Sequence, residues 1–136
     1  MRREEEAMNI ALWILQVLLA AAFLAHGIMF LAPSPEIAVQ MNASLPRWFQ
    51  VFLGIAEVLA AFGLIVPGMT RILPGLVPAA AAGIIVVMVG ATTLHLWRAE
   101  YSAAATTFVL LLMAATVAVY RWRRYPIEPR RAGVPA

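Results

Sequence analysis

The sequence predicts an all-α fold: an integral membrane four-helix bundle with its N and C termini cytoplasmic. Three observations predict it. The chain is 63% hydrophobic and only 12% charged, where a soluble domain carries roughly 25% charged residues. Its apolar residues gather into four runs, each long enough to cross a hydrocarbon layer about 30 Å thick. Its arginines cluster at the ends of those runs. The solvent of this protein is mostly lipid.

The composition also excludes chemistry. Every acidic residue is Glu, every basic one is Arg, and there is no Cys. Without thiols there are no disulfides, thiolate metal sites, iron–sulfur ligands or dithiol–quinone exchange. The net charge of +3 comes from arginines at helix ends. These suit an anionic membrane surface, and no nucleic-acid partner is expected.

The first span is NIALWILQVLLAAAFLAHGIMFL, residues 9–31. A signal peptide is the competing reading, but Glu4, Glu5 and Glu6 spoil a basic leader and the run is too long. Residues 1–8 then form a short N-terminal segment in the cytoplasm. Residues 32–46, with three prolines, make a polar connection that holds a short interfacial helix between Pro35 and Asn42. The second span covers 47–66 and stops at the Pro67-Gly68 turn signal. The third covers 72–97, with Pro74 and Pro78 in its first turns, where a missing N–H costs least. The fourth covers 101–120 after a short turn. Together, 9–120 form one transmembrane domain, followed by a basic tail, 121–136, expected to be disordered.

With an even number of spans both termini share a side. Arg2, Arg3, Arg71, Arg121, Arg123, Arg124, Arg130 and Arg131 fall on that side, and Arg47 and Arg98 on the other. The positive-inside rule makes the richer side cytoplasmic. The expected location is a cell membrane, the inner one in a bacterium.

Glu57 interrupts the second span. Each strongly apolar residue contributes about 0.3–0.6 kcal/mol to insertion, and a central carboxylate costs about 2.5–3.5 kcal/mol. Glu57 therefore offsets several neighbours, and it must face the bundle interior. Gln50, Gly54, Ala61 and Leu64 share its helical face. Two small residues on that face invite a close helix crossing.

His26 and His95 fall in the outer halves of the first and third spans. Counting 1.5 Å per residue puts them about 7–10 Å above Glu57, too far for a direct hydrogen bond. The expectation is a polar column bridged by Gln50, Thr92 and water. The candidate ligand-binding or proton-handling residues are thus Glu57, His95, His26 and Gln50, with Phe23, Met29, Phe52 and Met88 as apolar walls. Each also has a structural reading: Glu57 as a helix-tying hydrogen bond, His95 as an interfacial residue, His26 as local packing. Two His and one Glu without tight spacing do not make a metal site. Trp13, Trp48, Trp97 and Trp122 read as interfacial anchors. No nucleophile–base pair or phosphate loop occurs, so no catalytic residue is assigned.

Three segments carry a family resemblance: FLAHGIMFL (23–31), LGIAEVLAAFGLIVPG (53–68) and VMVGATTLHLWRAE (87–100). They resemble the DoxX-like family of small four-helix membrane proteins, over residues 9–120. The resemblance implies Gly27, Gly54, Gly63 and Pro67 as helix-packing positions, and Glu57 and His95 as framework or site positions. One departure is that the family's frequent lysine, three places after Gly27, is Phe30 here. Founding members of the family are membrane subunits of a thiosulfate:quinone oxidoreductase, and distant relatives act in redox complexes or membrane-protein assembly.

The resemblance therefore implies an accessory or membrane subunit that binds an amphiphile such as quinone, the one cofactor expected. No stand-alone enzyme is implied. A small proton-coupled transporter using Glu57 and an assembly or scaffold factor without a ligand are the alternatives. Expected partners are the lipid bilayer, another membrane protein or redox subunit, and a second copy of the chain.

Overall fold

The computed structural model describes residues 1–131 and 133. These residues form five helices and no strand: α1 (Arg2–Leu31), α2 (Pro35–Ser44), α3 (Arg47–Thr70), α4 (Leu76–Trp97) and α5 (Tyr101–Arg123). All but α2 are long and apolar enough to cross a membrane. The four long helices run alternately up and down. α1 packs most closely on α3 and α4 on α5, α3 joins the two pairs, and α1 and α5 touch least of these four packed pairs. One end of the bundle carries α2 and the α4–α5 turn. The other carries the start of α1, the chain that follows α5 and the α3–α4 turn.

The core is a column of Leu19, Phe23, Leu64, Val77, Ile84, Met88 and Val117. Around it, Ile14, Leu18, Leu59, Phe62, Val86 and Leu112 are exposed. An apolar belt of that extent is untenable in water and natural against lipid. The protein is a multi-pass integral membrane protein.

The helix limits depart from the sequence reading at several ends. α1 begins at Arg2, so the short N-terminal segment is helical and continuous with the span. Glu4 and Glu5 lie in its first turn, where carboxylates favour the helix dipole. α2 starts on Ser34, whose hydroxyl accepts from the Ile37 N–H, with Pro35 in the first turn.

α3 does not stop at Pro67. It runs on to Thr70 and ends with Arg71 in the left-handed region, φ 57°. Proline removes only one donor, the one that would reach the Gly63 carbonyl, and two neighbouring carbonyls accept from side chains. Thr70 Oγ1 donates to the Val66 carbonyl at 2.8 Å, and Gln16 Nε2 to the Leu64 carbonyl at 2.8 Å. α4 begins at Leu76 instead of Ile72, because Pro74 excludes the α-region for the residue before it. Leu73 instead sits at φ 49°.

The tail expectation also needs correction. α5 extends to Arg123, and the chain after it folds back on the bundle. Tyr125 stacks on Tyr120 with centroids 6.1 Å apart. Arg71 Nε donates to the Glu128 carbonyl at 2.9 Å, and the Arg130 N–H donates to the Arg71 carbonyl at 2.9 Å. For residues 132 and 134–136 the expectation falls outside the described residues.

Candidate functional site

The site begins with two glycines. A Cβ on Gly27 would stand 2.9 Å from the Gly54 carbonyl oxygen, and one on Gly54 would stand 3.0 Å from the Gly27 carbonyl oxygen. Only hydrogen fits at either position, so α1 and α3 cross with their backbones in contact. The crossing sets His26, the neighbour of Gly27, beside Glu57, one turn along from Gly54.

His26 Nδ1 and Glu57 Oε2 are 2.7 Å apart and share a hydrogen bond. The expected gap between them does not exist. Side chains on a helix lean toward its N-terminus. α1 and α3 are antiparallel, so His26 leans toward the terminal end while Glu57 leans toward the loop end. The count of 1.5 Å per residue located the Cα atoms and ignored this closure.

The two partners differ in access. The Glu57 side chain is 3% exposed, and that of His26 is 47% exposed. The imidazole ring also meets Phe30 edge-on, centroids 4.6 Å apart. Its Nε2 has no hydrogen-bond partner among the described residues.

Two small cavities adjoin the pair, and Phe23 lines both. One, about 200 Å³, lies in the seam where α1 and α5 touch least, bounded by His26, Met88, Thr106 and Thr107. The other, about 130 Å³, lies between α3 and α4 and is bounded by Glu57, Ala60 and Gly83. Phe23 and Met88 thus stand where the sequence reading put apolar walls. Phe52 is exposed and stacks on Phe49 instead. Met29 lines neither cavity.

The remaining candidates lie elsewhere. Gln50 is fully buried, seven residues and about 10 Å along α3 from Glu57. Its amide donates to Asn42 Oδ1 at 3.0 Å and to the Leu45 carbonyl at 2.7 Å. Arg47 completes this corner by donating to the Phe30 and Leu31 carbonyls at 2.8 and 2.9 Å, which caps α1. Gln50 therefore locks the α2–α3 corner.

His95 bonds Glu100 Oε2 through Nδ1 at 2.5 Å, in the α4–α5 turn. It does not approach His26. Thr92 Oγ1 donates to Thr107 Oγ1 at 2.9 Å and ties α4 to α5 behind the seam cavity. The polar column thus reduces to one pair, His26–Glu57, with the seam cavity beside it. No third His or carboxylate forms a metal-binding group with them among the described residues.

A Cβ on Gly63 would meet the Ala80 Cβ at 2.9 Å, so this glycine sets the α3–α4 approach. One family model matches residues 14–117, a stretch that includes the Gly27–Gly54 crossing and Glu57. The chain belongs to the DoxX-like family. Among curated proteins and solved structures, none matches it.

Sequence reasoning missed one polar centre in this DoxX-like protein. Gln16 and Arg121 are both buried, and Arg121 Nε donates to Gln16 Oε1 at 2.7 Å. A glutamine seven residues into an uncharged run is a signal of the same kind as Glu57, since intramembrane polar groups seek partners. Arg121 was hidden by its place in an arginine cluster that reads as uniformly juxtamembrane.

Proposed function

We propose that this protein is a membrane-embedded accessory subunit that binds the headgroup of an amphiphile, of which a quinone is the best-fitting class, at the His26–Glu57 pair. The observation that carries the reading is the pair itself: a buried carboxylate bonded to a half-exposed imidazole beside a cavity in the loosest helix seam.

The donor set fits. With one proton between Nδ1 and Oε2, Nε2 takes the complementary role. When Nδ1–H donates to the carboxylate, Nε2 is an acceptor and suits a hydroxyl. When the pair takes up a second proton, so that the carboxyl O–H donates to Nδ1, Nε2–H is a donor and suits a carbonyl. One pair can therefore hold either form of a carbonyl–hydroxyl couple. A bound quinone would supply the electron chemistry, while these residues bind, orient and hold a proton at Nδ1 or Oε2.

Size points the same way. Each cavity is smaller than the roughly 300 Å³ at the low end for drug-sized ligands, so a headgroup fits and a tail stays in lipid. The Phe30 substitution of the family's frequent lysine removes one cation from this end, which favours a neutral headgroup.

A second reading draws on the same pair. A half-exposed imidazole bonded to a buried carboxylate is a two-member proton path, as a small proton-coupled transporter needs. The deciding experiment purifies the protein and its Glu57→Gln and His26→Ala variants in mild detergent and analyses organic extracts by ultraviolet spectroscopy and mass. The proposal expects a defined small molecule in the native protein that is depleted in both folded variants. Equal content in all three overturns it. If none is bound, pH-driven flux in liposomes that Glu57→Gln abolishes establishes transport, and its absence leaves the scaffold role.

A further inference from the structure

The end of the bundle that carries the start of α1 and the chain after α5 holds a second polar site, separate from the His26–Glu57 pair. Its centre is Arg121, whose residue is 3% exposed. The guanidinium donates to Gln16 Oε1 at 2.7 Å, to Asn9 Oδ1 at 2.7 Å and to the Tyr125 carbonyl at 3.2 Å, and it lies 5.5 Å from the centre of the Trp13 ring. All three acceptors are neutral. Nη2 is buried and has no acceptor.

Neither does any carboxylate lie within ion-pair distance of an arginine among the described residues. Arg121 is thus a buried cation without a counter-ion, a costly state unless an anion completes it. Nε and Nη1 are engaged, so Arg121 offers a phosphate one buried donor, Nη2, together with its uncompensated charge.

Arg121 lines a cavity of about 520 Å³, walled by α1, the end of α3 and the returning chain after α5. Arg2 and Arg71 also line it, and so do Glu5, Glu6 and Glu128. Arg71 uses only Nε within the protein, toward the Glu128 carbonyl, so its terminal nitrogens are free for a ligand among the described residues. The carboxylates on the same wall repel a bare polyanion. The ligand that satisfies both signs is a phosphodiester carrying its own ammonium. The cavity lies at the level where the apolar spans end, as a phospholipid headgroup does.

We infer that this cavity binds a phosphodiester linked to an ammonium group, with Arg121 and Arg71 on the phosphate and the glutamates around the cation. The group comes from a phospholipid of the ethanolamine type or from its soluble headgroup, glycerophosphoethanolamine.

The test is native mass spectrometry of the full, delipidated chain in detergent. Three probes are titrated: phosphatidylethanolamine, phosphatidylglycerol and glycerophosphoethanolamine. The proposal expects phosphatidylethanolamine to be retained in preference to phosphatidylglycerol. Arg71→Gln, an exposed position, should weaken retention about tenfold, as loss of one charge-assisted contact does. Arg121→Gln should weaken it further, and Arg71→Gln carries the test if that variant does not fold.

Comparable binding of glycerophosphoethanolamine assigns the site to the soluble headgroup, and much weaker binding assigns it to the lipid. Equal retention of the two lipids, or phosphatidylethanolamine binding untouched by both substitutions, overturns the inference. In that case an internal water satisfies Nη2.

Discussion

The carbonyl oxygen of Gly54 occupies the space that a Cβ on Gly27 would need, 2.9 Å away. This contact between backbones fixes the distance between His26 and Glu57. Neither helix can be moved outward without separating the pair. Backbone contacts also cannot yield as a flexible side chain can.

Gly27→Ala and Gly54→Ala should therefore each destabilise the bundle by about 1–3 kcal/mol, the usual range for overpacking. Gly83 and Gly90 are the controls, because a Cβ there meets nothing within 4 Å. Alanine at those positions should be neutral or stabilise by up to about 1 kcal/mol, since it is the better helix former. Unfolding by SDS titration in mild detergent checks the contrast. Similar behaviour of all four variants would contradict the crossing.

His26 and Glu57 should be energetically coupled. A double-mutant cycle with His26→Ala, Glu57→Ala and the double variant should give an interaction of about 0.5–3 kcal/mol, the range for residues in direct contact. Glu57→Gln should lose less stability than Glu57→Ala, because an amide still reaches the imidazole. Additive effects within about 0.5 kcal/mol would mean that the pair does not form.

Much of this protein was legible before its structure. Hydrophobic run lengths delimited four spans because a bilayer imposes a minimum apolar length. Glu57 was legible as inward-facing because lipid cannot solvate it. The pairing with His26 was not, because it depends on how two antiparallel helices stagger and on side chains leaning toward their own N-termini. The chain folding back after α5 was hidden for another reason. Arg71 holds it through the Glu128 carbonyl, and backbone acceptors leave no mark in sequence. Gln50 shared a helix face with Glu57, and His95 a height with His26, but each met a nearer partner in or beside a connection.

Gln50 and His95 should accordingly separate stability from ligand content. Gln50→Leu removes both hydrogen bonds that Nε2 donates at the α2–α3 corner and should cost about 1–3 kcal/mol through unsatisfied acceptors. His95→Ala removes an exposed local pair and should cost no more than about 1 kcal/mol. Neither should alter what is extracted from the folded protein. Loss of a bound molecule in His95→Ala would restore the longer polar column.

Gln16 should prove the most sensitive uncharged position in α1. Its Nε2 donates to the Leu64 carbonyl of α3 while its Oε1 accepts from Arg121 of α5, so one side chain joins three helices. Gln16→Leu leaves the Arg121 Nε–H without that acceptor in a buried place. The expected cost is about 1–3 kcal/mol, as for a buried donor left without its acceptor. Gln16→Glu should be milder, since a carboxylate restores the acceptor and supplies the counter-ion that Arg121 lacks. Arg123→Ala and Arg124→Ala, both exposed, should stay within about 0.5 kcal/mol of the parent protein. Measured by SDS unfolding, that order separates a three-helix clasp from an arginine cluster that merely faces the membrane surface. A leucine variant as stable as the glutamate variant would show that Arg121 needs no partner at Gln16.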